Sequence, residues 1–121
     1  MPSEHLIIQA YDGIVLAKNT KERVLEAPVI NALAEDLAKL VDRYPKISLV
    51  LDLADVGYLS SSFIGKLMAL FKAVTLVKGR MAVGGVRPSL MPLFQVTRLD
   101  KIITFAPDAQ QVIQLYKRKP L

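Results

Sequence analysis

Residues 47–77 read ISLVLDLADVGYLSSSFIGKLMALFKAVTLV, and this stretch decides the fold class. Its first part, Ile47 to Leu53, is rich in leucine and β-branched residues with little polar alternation, which predicts a strand covered on both faces. Its last part, Ser61 to Val77, predicts an apolar helix, and Gly79 is a typical residue to end it. Three serines, at 60–62, stand at the start of that helix, and the function of their hydroxyls is the question that the stretch raises.

Strands and helices alternate on both sides of this stretch. The alternation predicts an α/β layer fold, and the length of 121 residues predicts a single domain over residues 1–121. The elements we expect are a hairpin over 5–17, a polar loop over 19–23, a helix from Pro28 to Pro45, a strand over 81–86, a short helix over 88–96, a strand over 101–105 and a terminal helix whose capping box is Asp108 and Gln111.

The composition is that of a globular domain. Hydrophobic residues make up 52% of the chain and charged residues 22%, and there is no cysteine for a disulfide or a thiolate. Lys66, Lys72 and Lys78 interrupt the most apolar stretch, so we expect no integral membrane segment. The first residues carry no basic cluster ahead of their short apolar run, which argues against a signal peptide and for a cytoplasmic location.

The residues that usually build active sites are scarce. The one histidine, His5, lies near the N-terminus, which argues against a Ser–His nucleophile and a histidine metal site. We interpret the acidic pair Asp52 and Asp55 as residues that cap a loop after the strand. No glycine-rich phosphate-binding motif is present. The sequence therefore predicts no enzyme, no metal and no cofactor.

The net charge of +5 is unevenly distributed. Residues 61–101 carry seven Lys/Arg and one acidic residue, Asp100. Such a segment can steer an acidic partner, a phosphate or an anionic surface, or it can simply be a solvated face. Aromatic residues do not alternate with these cations, so we expect no nucleic-acid binding.

The three serines lie where the end of a strand feeds a helix, which is where ligands gather in α/β folds. One interpretation is structural, with the hydroxyl of Ser60 or Ser61 accepting from an early helix N–H as an N-cap. The other is modification, because the free N–H groups and the positive end of the helix dipole favour a phosphate there. The two interpretations are compatible.

The stretch LVLDLADVGYLSSSFIGKLMALFKAV, residues 49–74, resembles the signature of the STAS domain, named for sulfate transporters and anti-sigma factor antagonists. The stretch KGRMAVGGVRPSLMPLFQVTRLDKIITFAPDAQQVI, residues 78–113, is similar to the family's following strand, short helix, closing strand and helix. The resemblance covers about residues 5–116. It implies a curved mixed sheet with helices packed mainly on one side, and a binding module rather than an enzyme.

Anti-sigma factor antagonists of this family bind a serine kinase that also sequesters a sigma factor, and phosphorylation releases them. The resemblance implies that Ser61 is the phosphoacceptor, with Ser60 and Ser62 as lesser candidates, in a bacterial signalling protein. The chain departs from the family pattern by having Ser60 in place of Asp and Phe63 in place of Gly. The alternative is therefore an accessory subunit that is not phosphorylated, in a transport, lipid or anion-related complex, and that binds its partner through helix 61–77.

Helix 61–77 carries two apolar stripes. A single surface helix needs one stripe for the core, and we assign that role to the stripe from Ile64 to Val74. The second stripe, Phe63, Leu70 and Val77, either packs under a neighbouring helix or stays exposed for a partner. The sequence does not decide whether the chain forms a homodimer. The partner-binding residues we predict are Tyr58, Phe63, Lys66, Leu70, Arg87 and Met91.

Overall fold

The computed structural model describes residues 5–120, and within them the chain forms seven strands and four α-helices. The strands are β1 (Leu6–Tyr11), β2 (Ile14–Asn19), β3 (Arg23–Val24), β4 (Ser48–Asp52), β5 (Tyr58–Leu59), β6 (Arg80–Gly84) and β7 (Thr104–Ala106). The helices are α1 (Ala27–Arg43), α2 (Ser61–Leu76), α3 (Met91–Val96) and α4 (Ala109–Arg118), with a 3₁₀ turn at Leu99–Lys101.

The main sheet has five strands in the order β1-β2-β4-β6-β7. The strand β1 pairs antiparallel with β2, whereas the other three pairings are parallel. The α/β fold that the sequence predicts and the mixed sheet that the family resemblance implies are thereby confirmed. Because the parallel strands end at the same edge, the loops that follow β4 and β6 emerge side by side.

The central strand β4 is buried on both faces, as its sequence predicts. On one face Leu49 and Leu51 join the core beneath α1, α2 and α3. On the other face Val50 packs against Val112 and Ile113 of α4. Three helices thus cover one face and one covers the other, which confirms helices packed mainly on one side.

The helix α4 is attached to its face by polar contacts as well as by apolar packing. The hydroxyl of Tyr116 donates to the carbonyl oxygen of Leu49 at 3.1 Å, and burial raises the pKa of Tyr116 well above its ordinary value. The Arg80 guanidinium lies 4.1 Å from the centre of the Tyr116 ring and donates to Ser48 Oγ at 2.9 Å and to the carbonyl oxygen of Lys119. Arg80 therefore ties the starts of β4 and β6 to the end of α4.

Three local predictions differ from the structure. The polar loop predicted over 19–23 leads into β3, which pairs with β5 in a small second sheet. The short helix begins at Met91, after a turn. The last strand begins at Thr104 and not at Lys101. The buried residues Leu99 and Ile103 are spaced by about one helical turn across the 3₁₀ turn, whereas a strand would bury alternate residues. Within residues 5–120, no helix is both long and apolar enough to cross a membrane.

Candidate functional site

The loop after β4 is tightly held and brings the chain towards the serines. The side chain of Asp52 accepts from the N–H of Ala54 at 3.0 Å, which is the loop-capping role that the sequence predicts for it. The N–H of Leu53 bonds to the carbonyl oxygen of Gly84, and the side chains of Leu53 and Val56 are fully buried. Asp55 instead forms an exposed ion pair with Lys18 at 3.6 Å, a contact that contributes little to stability.

The short strand β5 fixes the approach to the serines. The N–H groups of Gly57 and Tyr58 both donate to the carbonyl oxygen of Glu22, at 2.8 and 3.0 Å. The N–H of Ser60 donates to the carbonyl oxygen of Val24 at 3.0 Å. The segment before α1 therefore positions the backbone of the serine segment. The polar composition of residues 19–23 did not indicate this pairing.

The three serines differ in exposure. Ser60 is the N-cap residue of α2 with extended backbone angles, whereas Ser61 and Ser62 are exposed at the first two helical positions. The predicted N-cap position is therefore correct for Ser60. The predicted capping bond is wrong, because Ser60 Oγ is turned into the protein and has no hydrogen-bond partner among residues 5–120.

The burial of the second stripe of α2 corrects part of the predicted partner surface. Phe63 is 0% exposed and Leu70 is 6% exposed, and both belong to the core shared with α1. Their predicted partner-binding role does not hold in this structure, and the core alternative does. Val77 is exposed at the end of α2. A helix covered by both the sheet and a neighbouring helix needs two apolar stripes, which is why Phe63 and Leu70 are apolar.

An open groove of about 510 Å³ lies beside the serines. Tyr58, predicted to bind a partner, lines the groove and is 51% exposed, and the Arg23 guanidinium carbon lies 4.6 Å from the centre of its ring. Arg87, also predicted, lines the same groove and donates to the carbonyl oxygen of Ala54 at 3.3 Å. The structure thus places two of the predicted residues in one groove, Tyr58 on β5 and Arg87 on the loop after β6.

Gly57 leaves room for the Arg87 side chain beside it. A Cβ atom at position 57 would lie 2.9 Å from Nη1 of Arg87, so a larger residue would displace the guanidinium. The remaining lining residues are Glu22, Leu25, Leu59, Ser89 and Leu90. Glu22 and Leu25 were missed by sequence reasoning. The apolar pair Val24-Leu25 after a polar run is the signal that could have indicated a buried contact there.

The other predicted residues lie outside this groove. Lys66 is exposed on α2, and Met91 is half-buried at the start of α3. The basic excess of the segment 61–101 is also on the surface, since Lys66, Lys72, Lys78, Arg87, Arg98 and Lys101 are all exposed. Within residues 5–120, no three acidic or histidine side chains are grouped as metal ligands.

The sequence model of the STAS domain matches residues 15–112. Solved structures with the same fold include an anti-sigma factor antagonist from Mycobacterium paratuberculosis, with 20% identity, a TM-score of 0.80 and coverage of 93% of this chain and 92% of that chain. A putative anti-sigma factor antagonist from Thermotoga maritima has 16% identity, a TM-score of 0.82 and coverage of 95% and 97%. The Bacillus cell fate determinant SpoIIAA in its phosphorylated form has 12% identity, a TM-score of 0.68 and coverage of 91% and 98%.

Proposed function

The protein belongs to the STAS domain family, and from that membership we propose that it is a regulatory protein-binding domain of the anti-sigma factor antagonist kind, switched by phosphorylation of Ser61. Its partner in this proposal is a serine kinase that also holds a sigma factor, so that binding frees the sigma factor and affects transcription. The domain acts by binding and catalyses no reaction. Because the kinase needs ATP, the proposal also places the domain in the cytoplasm.

The exposure of Ser61 at the first position of α2 is the observation that carries this proposal. A kinase can reach an exposed hydroxyl, whereas Ser60 Oγ is buried. No side chain caps α2, so no side-chain oxygen competes with a phosphate for the N–H groups of its first turn. A phosphate at Ser61 would place about two negative charges in the positive field of the helix start.

The groove beside the serines supplies a surface to which the partner can bind. Tyr58 offers an exposed aromatic ring, and Arg87 offers a guanidinium. In the proposal, the partner contacts Tyr58, Lys66, Arg87 and Met91. A phosphate at Ser61 disrupts that contact by its charge and bulk. A known phosphorylated structure of this fold, SpoIIAA, supports a phosphorylation switch in the family.

The proposal is tested by mapping phosphorylated residues on the protein isolated from its native cell, and by identifying the protein that it captures there. We expect phosphate on Ser61 and a captured kinase. Ser61→Asp should fold normally and weaken binding to that kinase about tenfold or more, because it places a permanent charge at the switch. Ser61→Ala should bind normally and resist release by the kinase and ATP.

Ser62→Asp is the matched control, since Ser62 is also exposed, at the next helical position. It adds the same charge to the same helix start, and we expect it to leave most of the binding intact. Unmodified Ser61 under all growth conditions, together with full binding by Ser61→Asp, would refute the switch.

A second candidate function is an accessory subunit that binds its partner without being phosphorylated. Ser60 and Phe63 in place of the family's Asp and Gly favour it, as does the exposed basic segment 61–101. This candidate predicts a transport, lipid or anion-related partner whose binding weakens steeply with salt. A salt titration of the captured complex separates the two functions, because binding that is insensitive to salt would exclude a steering role for the basic segment.

A further inference from the structure

The two edges of the five-stranded sheet are built differently. The edge strand β7 has three residues, lies just after a 3₁₀ turn and is followed by Pro107. The edge strand β1 has six residues, LIIQAY, that pair with β2 without a bulge. Proteins normally protect edges by shortness, lysine, proline or a bulge. The edge at β7 is protected in this way, whereas the edge at β1 has none of these features.

The described residues, 5–120, also leave the outer side of β1 largely uncovered. Among residues 5–120, β2 is the one element that packs extensively along β1. Ile7 is 53% exposed, and Gln9 and Ala10 are exposed as well. A β-rich segment of this length with no charge and no proline is prone to pair with another strand.

The hydrogen-bond pattern shows which residues offer their backbone to such a strand. The N–H of Thr20 donates to the carbonyl oxygen of His5 at 2.9 Å, and the antiparallel register continues from there along β1 and β2. In an antiparallel pair, alternate residues exchange bonds with the neighbour, so the odd-numbered residues of β1 bond to β2. The N–H and C=O groups of Leu6, Ile8 and Ala10 therefore point to the open edge.

We propose that this edge is the interface of a homodimer, in which the β1 strands of two copies pair antiparallel across a two-fold axis at Ile8. This register uses all three outward-pointing residues. Ile8 pairs with Ile8 of the second copy, and Leu6 pairs with Ala10, each pair exchanging two hydrogen bonds. Ile7 then lies opposite Gln9 of the second copy. The two five-stranded sheets become one continuous sheet.

A second copy fits this edge for reasons of shape and charge. Each Leu6 faces a small Ala10, so the large and small side chains complement each other across the axis. A two-fold contact places β1 against β1 of the second copy, so a charged strand would bring like charges together. The segment LIIQAY carries no charge, so no such repulsion arises. This inference does not depend on phosphorylation, because it concerns a different edge of the molecule from the serines.

The mass in solution is the first test. Sedimentation of the full chain at micromolar to millimolar concentration should give twice the chain mass of 13.4 kDa. Ala10→Lys should shift the mass to that of one chain, because Ala10 is exposed at the interface. Thr104→Lys is the matched control, placing the same residue on the exposed surface of the other edge strand, and it should stay dimeric.

Cysteine cross-linking tests the register, and the chain has no cysteine of its own to interfere. Ile7→Cys and Gln9→Cys change exposed positions. An equal mixture of the two variants should form a disulfide-linked dimer under mild oxidation, since opposed residues of this type have Cα atoms about 4.5 Å apart. Each variant alone should cross-link far less, because like positions are separated by more than about 7 Å, beyond disulfide reach.

A chain that stays monomeric at millimolar concentration would overturn the proposal and leave the edge to a strand of a different protein. A dimer that survives Ala10→Lys, or one in which the mixture cross-links no better than the single variants, would also overturn it, because the contact would then lie elsewhere or have another register.

Discussion

The helices α2 and α4 begin in opposite ways, although each follows a strand. At the start of α4, the carboxylate of Asp108 accepts from the backbone N–H of Gln111 at 2.9 Å and from its side chain at 3.3 Å. At the start of α2, Ser60 has a similarly extended backbone and makes no such bond. The start of α4 is therefore built for stability. The start of α2 has no side-chain cap, and Ser61 and Ser62 are exposed there.

The stability of the α2 start should depend on Phe63 and not on its serines. Phe63 is fully buried, so Phe63→Ala should lower the free energy of unfolding by about 3–5 kcal/mol, from lost apolar burial and the cavity that it leaves. Urea unfolding followed by circular dichroism measures this. Phe71→Ala is the control on the same helix, and its loss should be smaller because Phe71 is half-buried. Equal losses would contradict the burial of Phe63.

The stability of the α4 start should depend on its close approach to β6 at Gly84. A Cβ atom there would lie 2.6 Å from the N atom of Ala109 and 2.7 Å from its Cα. Gly84→Ala should therefore cost about 1–3 kcal/mol, because the first turn of α4 must move away.

The matched control is Gly65→Ala on α2, where a Cβ would meet nothing within 4 Å. We expect this substitution to stabilise the domain by about 0.5–1 kcal/mol, through the better helix propensity of alanine. A Gly84→Ala variant with unchanged unfolding free energy would show that α4 can lie farther from the sheet at no cost.

Removing the cap of α4 should have a smaller effect. Asp108→Ala should lower the free energy of unfolding by about 1 kcal/mol, because two donors of Gln111 lose their acceptor. Asp108→Asn keeps an acceptor at the N-cap and should stay within a few tenths of a kcal/mol of the native chain. If the two variants unfold at the same urea concentration, the capping bond does not stabilise α4.

The smallest effect should come from the corresponding change at α2. Ser60→Ala should alter the unfolding free energy by less than about 0.5 kcal/mol, since Ser60 Oγ has no hydrogen-bond partner among residues 5–120. Measured beside Asp108→Ala, this variant compares the two helix starts directly. A loss at Ser60 equal to that at Asp108 would mean that the serine caps α2 in solution, and the contrast between the helices would fail.

Much of the fold could be predicted because its signals are local. The strand at Ile47 to Leu53 appears as β4, the helix after the serines as α2, and Asp108 caps α4. The small sheet of β3 and β5 was missed because two-residue strands are too short to show a periodic pattern. The sequence predicts a site at the serines, but the groove beside them also depends on Glu22 and Leu25, which lie far away in the sequence.

The sequence by itself determined most of the strands and helices, and that three serines stand between the central strand and the next long helix, because hydrophobic periodicity, prolines and caps act within a few residues. The tertiary structure alone decided that Phe63 and Leu70 are core, since their burial requires α1 to pack over α2. It also decided that Ser60 Oγ points inward while Ser61 stays exposed, and that β1 is an edge strand of the five-stranded sheet. These outcomes depend on which surfaces meet after folding, and no local pattern in the chain records that.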